Sequence, residues 1–368
     1  VGVASLTILD LAKINVAIPA ISDVLGAGAT EVQLLLSGFV LAFGLVLVPS
    51  GRIGDLYSRR FMFLLGLILF TLASAAGTFA PTIELLIAAR IFQGFAAGIL
   101  MPQVLGLVQQ LFQGRERGQA FGVFGAVIGL STAFGPTLGG FLVGVGGDDF
   151  DWRLLFAMNI PLGILAFVMA FRLLPRTQDT SEAVKDFDLV GTALLGVTTF
   201  SLMLPFVLTT GTEVDDPARW WWLVVMVVAG SLFLVWEKAY LARGKVAIID
   251  FELFRISTFR NGILISSFYF AALPATFIVL TLFLQQGLGF SPVVAGMVTI
   301  PFALISAYTS YRSGKVVHKR GRPLVVVGLL GVLAGFGLVV LASFTVPDPF
   351  MPIGVAIGMT VAGAGGGA

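Results

Sequence analysis

Apolar runs of about 20 residues follow one another along the whole of this chain, and that length spans the hydrocarbon core of a bilayer when the run is helical. About twelve can be drawn, near residues 1–21, 31–50, 61–79, 82–111, 118–144, 153–174, 188–210, 219–238, 261–286, 291–311, 323–343 and 349–368. A bilayer interior offers no water to backbone N–H and C=O groups, so each run is expected to be a helix. The expected fold class is an all-α membrane protein. Only 11% of the 368 residues are charged, where soluble domains carry roughly 25%. A formal net charge of +2 gives no reason to expect nucleic acid as a partner. With no cysteine there is no disulfide framework or thiolate metal site. The one histidine, His318, cannot assemble a metal cluster alone, so no metal is expected.

The charges orient the runs. Lys and Arg collect after the even-numbered ones: Arg52, Arg59 and Arg60; Arg115 and Arg117; Arg172, Arg176 and Lys185; Lys238, Arg243, Lys245, Arg255 and Arg260; Arg312, Lys315, Lys319, Arg320 and Arg322. The opposite loops are acidic, with Asp23 and Glu31, Asp148, Asp149 and Asp151, Glu213, Asp215 and Asp216, and Asp348. The positive-inside rule then puts the basic loops and the N-terminus in the cytoplasm of a multi-pass cell-membrane protein. Trp220, Trp221 and Trp222 fall at an outer helix end, where an aromatic belt belongs. The chain starts at Val1 inside one apolar run and stops at Ala368 inside another. It is expected to be a fragment of a longer protein, cut at both ends.

One basic loop occurs twice. Gly51-Arg52-Ile53-Gly54-Asp55-Leu56-Tyr57-Ser58-Arg59-Arg60 and Gly314-Lys315-Val316-Val317-His318-Lys319-Arg320-Gly321-Arg322 sit between apolar runs at a constant offset of 263 residues. A charged hairpin repeated in two halves indicates duplication. Gly51 is expected to permit a tight turn and close helix approach. Asp55 is expected to latch onto an arginine or a helix N-terminus. The second copy has His318 at the acid's position.

Three spans carry polar chemistry. Asp10 lies about 16 Å from the outer end of the first run, near the bilayer middle. A buried carboxylate there is by default a functional group. Lys13 shares its helix face at i+3. Arg90 lies about 12 Å deep in the fourth run, and in hydrocarbon it needs a partner, for which Asp10 is the acidic candidate. Gly135, Pro136, Gly139 and Gly140, in the fifth run, are expected to form a kinked and closely packed seam.

These residues lie in recognisable patterns: Leu9-Asp10-Leu11-Ala12-Lys13-Ile14-Asn15-Val16-Ala17-Ile18-Pro19, Arg90-Ile91-Phe92-Gln93-Gly94, Gly135-Pro136-Thr137-Leu138-Gly139-Gly140 and Asn159-Ile160-Pro161-Leu162-Gly163. Together with the hairpin at 51–60 they resemble the major facilitator superfamily, in its fourteen-helix drug:proton antiporter branch. The sequence departs from the family pattern at Lys13, Leu56 and Ser58. The resemblance implies a six-helix bundle at 1–175, a linker with two extra spanning helices at 176–260, and an incomplete second bundle at 261–368. It implies export of drugs, antibiotics or similar amphipathic small molecules in exchange for protons, in a bacterial membrane. Asp10 would bind the proton, with Arg90 and Lys13 modulating it. Gly51, Asp55, Arg59, Arg60, Gly314, His318 and Arg322 would form the cytoplasmic gate. Gly135, Pro136, Gly139 and Gly140 match the signature that separates exporters from importers. Asn15, Gln93, Tyr269 and Gln285 are candidates to line the substrate cavity.

No phosphate-binding loop occurs, so neither ATP nor any cofactor beyond the proton gradient is expected, nor enzyme activity. Two other readings fit the same residues: export of an endogenous metabolite or lipid without proton coupling, and a non-transporting sensor on this fold.

Overall fold

Helices account for the apolar runs in the computed structural model, which describes residues 2–150, 152–175, 188–209, 215–245, 247–249, 251–290 and 292–367. They are α1 (Gly2–Leu25), α2 (Ala29–Leu56), α3 (Arg59–Thr78), α4 (Ile83–Leu111), α5 (Gly114–Phe150), α6 (Arg153–Ala157), α7 (Asn159–Leu173), α8 (Leu189–Val207), α9 (Trp221–Ala242), α10 (Ser257–Leu282), α11 (Pro292–Met297), α12 (Ile300–Gly314), α13 (Val317–Thr345) and α14 (Met351–Gly366). No strand occurs among the described residues. Among the described residues eleven helical spans are long and apolar enough to cross a membrane, with α6 joined to α7 and α11 to α12, and the bent α5 brings the number to twelve when it is counted as one span. The bend is 47°, between Gly114–Thr132 and Thr137–Gly146. Pro136 lies in the break, where its missing N–H removes one helical hydrogen bond. The expected loop residues Asp151, Arg176, Lys185 and Glu213 lie outside the described residues, as do the side chains of Pro136 and His318.

The chain forms two compact units. One takes residues 2–107 and 139–249. Its core packs Ile14, Ala17 and Ile21 of α1 against Leu35 of α2, Leu86 of α4, and Leu155 and Phe156 of α6. There α4 approaches α2 so closely that a Cβ at Gly98 would stand 2.6 Å from the Phe43 carbonyl oxygen. Only glycine allows that approach. The other unit takes residues 108–138 and 250–367. Its core joins Leu280, Leu284, Val298 and Phe302 to Met351, Val355 and Met359 of α14.

The first hairpin differs from expectation. Gly51 makes no turn, because α2 stays helical through Leu56 and only Tyr57 and Ser58 separate it from α3. The Ser58 hydroxyl caps α3 by accepting the Phe61 N–H at 3.1 Å, which satisfies one of the free donors at a helix start. The close helix approach expected of Gly51 is present: a Cβ there would lie 3.2 Å from the Pro102 side chain of α4, a tight contact that would require one of the two to shift. Gly314 likewise lies in helical conformation, as the last residue of α12.

Candidate functional site

Four stretches of chain meet around Asp10. On α1 the i, i+3 spacing stacks Asp10 and Lys13 on one face, and on α4 it does the same for Arg90 and Gln93. The span made by α6 and α7 is interrupted at Met158, and the break presents the Leu155 carbonyl and the Asn159 side chain. Ser74 comes from α3. All seven residues are buried, at 1% exposure or less.

The contacts form one network. Arg90 Nη1 lies 2.5 Å from Asp10 Oδ2. Lys13 Nζ lies 3.1 Å from Asp10 Oδ1 and donates to the Leu155 carbonyl at 2.5 Å and to Asn159 Oδ1 at 2.7 Å. Asn159 Nδ2 donates to Asp10 Oδ1 at 2.6 Å. Arg90 Nη1 also donates to Gln93 Oε1 at 2.7 Å. Gln93 Nε2 donates to Ser74 Oγ at 2.9 Å. The remaining face of Arg90 lies against an aromatic ring, its Cζ 4.4 Å from the Phe39 centroid. Its Nε and Nη2 make no hydrogen bond. A ring face attracts a guanidinium in a desolvated setting, so Phe39 takes the place of a polar partner. The structure therefore brings Asp10, Lys13 and Arg90 together, with Gln93 in the same network. Sequence reading missed Asn159 and Ser74 as members. The available signal was an amide two residues before Pro161 in an apolar run.

The glycine signature touches this cluster from α5. A Cβ at Gly139 would stand 2.6 Å from the Lys13 carbonyl oxygen and 3.2 Å from Lys13 Cβ. Gly140 faces Val16, and Gly135 is buried. The helix backbones thus meet at Lys13 itself.

The hairpin residues gather at one end of α2–α4. Asp55 Oδ1 accepts from Arg59 Nη2 at 2.6 Å, and Asp55 remains 47% exposed. Arg60 Nη2 donates to the Phe171 carbonyl at 2.7 Å. Gln103, buried on α4, donates to the Ser50 carbonyl at 2.9 Å and covers Gly54. In the second copy, a Cβ at Gly314 would lie 2.5 Å from the Gly118 carbonyl oxygen and 3.0 Å from Gly122 Cα. Arg322 donates to Thr258 Oγ1 at 3.1 Å.

The four residues expected to line a substrate cavity separate. Asn15 lines an open cleft of about 430 Å³ with Leu11, Ser37, Val40, Met203 and Phe206, between α1, α2 and α8. Gln93 is fully buried, with both ends of its amide used in the ion network. Tyr269 directs its hydroxyl toward the Gly366 carbonyl at 3.4 Å. Gln285 is half-buried in the wide turn Phe283–Gly287 that ends α10.

A second buried acidic site was not anticipated. Asp188 caps α8 by accepting the Gly191 N–H at 2.8 Å, and both its oxygens accept from Trp236 Nε1, at 2.9 and 3.0 Å. Glu237 of α9 faces Asp188 and is fully buried. Glu237 Oε2 accepts the Ile248 N–H at 3.0 Å, while Oε1 has no partner. Among the described residues no three His, Cys, Asp or Glu side chains gather as a metal would require.

Comparison with known proteins closes the case for the family. The chain is 34% identical over its whole length to the "Probable actinorhodin transporter" of Streptomyces coelicolor, and spans 63% of that protein. It is 33% identical over 97% of its length to a puromycin resistance protein of Streptomyces alboniger, spanning 70% of it. It is 29% identical over 91% of its length to the multidrug resistance protein Stp of Mycobacterium tuberculosis, spanning 61% of it. Among solved structures, the proton:xylose symporter XylE shares the fold at a TM-score of 0.60 and 14% identity, over 98% of this chain and 78% of that one. The human organic anion transporter TETRAN does so at 0.60 and 17%, over 98% and 82%. The family model described as Major Facilitator Superfamily matches residues 1–368, and this chain belongs to that superfamily.

Proposed function

We propose that the protein containing this chain exports amphipathic small molecules, antibiotics among them, in exchange for protons by alternating access across a bacterial cell membrane. The observation that carries this reading is the Asp10–Lys13–Arg90 cluster, fully buried within membrane-spanning helices. Charge at that depth is costly and is kept where ions or protons move. The names of the relatives, which refer to actinorhodin, puromycin and multiple drugs, support the substrate class.

In this reading the basic loops face the cytoplasm, the bundles are 1–175 and 261–368, and α8 and α9 link them. The Asp55–Arg59 pair belongs to the cytoplasmic gate. Gly135, Pro136, Gly139 and Gly140 form the antiport seam. The Asn15 cleft, together with Tyr269 and Gln285, contributes to substrate contact. The protein is a transporter and not an enzyme, driven by the proton gradient without ATP. The test is efflux of puromycin and ethidium by the full-length protein in proteoliposomes, with and without a pH gradient. Uphill efflux that collapses with the gradient is expected. Movement of neither probe, or equal flux in both conditions, overturns the reading.

A further inference from the structure

We propose that Lys13, and not Asp10, is the group that takes up and releases the coupled proton, an inference that rests on the proton-exchange reading above. The cluster holds one carboxylate and two cations, a net charge of +1 with every member buried. Arg90 stays charged under all conditions a protein meets. A proton added to Asp10 would leave two buried cations with no anion in contact. A proton removed from Lys13 would leave a single neutral pair, Asp10 with Arg90 at 2.5 Å. Uncompensated buried charge is the dominant cost in such a place. The two states open to the cluster therefore differ by the Lys13 proton.

Hydrogen-bond counting shows which state this conformation holds. An ammonium has three donors, and Lys13 Nζ has three acceptors: the Leu155 carbonyl, Asn159 Oδ1 and Asp10 Oδ1. A neutral amine has two N–H groups and a lone pair, so the lone pair would face one of these three oxygens with no proton between them. The cage fits the loaded form. Two of its three acceptors belong to α6 and α7, and the third sits with Lys13 on α1. Parting α1 from the α6–α7 break strips the ammonium of two partners while Arg90 keeps the carboxylate paired. One N–H bond then breaks, its electron pair stays on Nζ, and the proton passes to water entering the gap. Reclosure on a reprotonated Lys13 resets the cage. The charged groups that act on Lys13 are Asp10 on its own helix and Arg90 of α4, while Asn159 of α7 and the Gly139 position of α5, which also meet it, carry no charge.

The test uses the full-length protein in proteoliposomes with an internal pH dye and puromycin or ethidium as probe. Lys13→Met removes the proton carrier and leaves the neutral Asp10–Arg90 pair. Lys13→Arg keeps a permanent charge and gives a second variant should the first fail to fold. Both are expected to lose probe-driven proton movement while downhill probe flux stays measurable. The wild type is expected to show a pH dependence of that flux that vanishes in both variants, which a merely structural lysine would not produce. Wild-type proton movement in either folded variant overturns the assignment and returns the role to Asp10. Probe transport by the wild type without proton movement overturns the proton-exchange reading as well, so the two failures are told apart.

Discussion

The Asp10 cluster and the Asp188–Glu237 pair are both buried and both built between helices, yet they are opposite in charge. The first carries an excess of cations within spanning helices, and every polar group of its carboxylate and ammonium is engaged across α1, α4 and the α6–α7 break. The second sets two acids against each other where α8 begins and α9 nears its end, and one carboxyl oxygen has no partner. Burial alone does not define a functional ion site. A cluster cross-linked through several helices depends on each charge for the others' stability. A pair of like charges is strained by its own members and is relieved when one is neutralised.

Exchanging acid for amide at both places tests this contrast directly. Asp10→Asn leaves Lys13 and Arg90 without their counter-ion. Removing one partner of a buried pair costs about 3–5 kcal/mol, and thermal unfolding in detergent should show the full loss together with loss of uphill efflux. An unchanged melting temperature would mean that the cluster is not held together by charge. Asn159→Leu keeps all three charges and removes the amide that bridges Asp10 and Lys13. Leaving buried donors and acceptors unmade costs about 1–3 kcal/mol, so it should fall below Asp10→Asn in the same assay.

Glu237→Gln should move stability the other way. The amide can still accept from the Ile248 N–H through its oxygen and can donate toward Asp188, a gain of about 1 kcal/mol. Destabilisation there would show that the pair needs its second negative charge. Asp55→Asn is the exposed control. Its pair with Arg59 is half in solvent, and such pairs contribute less than about 1 kcal/mol. A stability loss as large as that of Asp10→Asn would erase the distinction between exposed and buried ionic contacts in this protein.

The legibility of these regions from sequence followed the range of the interactions involved. Asp10 and Lys13 are three residues apart on one helix, so their pairing could be read directly. The similar depths of Asp10 and Arg90 made their meeting a reasonable expectation. Asn159 and Ser74 lie 149 and 64 residues from Asp10, and nothing local marks them as its neighbours. The Asp188–Glu237 pair escaped for the same reason: each acid sits at a helix end that looks solvated when read alone. Gly51 was half legible: a glycine before a charged stretch has the composition of a turn, which does not form, while the close helix approach also expected of it is present against Pro102.

By itself the sequence determined the helices, their number and the family, because a bilayer leaves the backbone one local way to satisfy its hydrogen bonds and the apolar runs count out the spans. The family patterns are contiguous and could be read in place. Only the tertiary structure decided which polar groups share a buried site, that Lys13 has three acceptors, and that Gln93 belongs to the ion network instead of an open cavity. Those facts depend on which faces of distant helices meet, and the hydrophobic pattern cannot specify this where a helix is apolar all round.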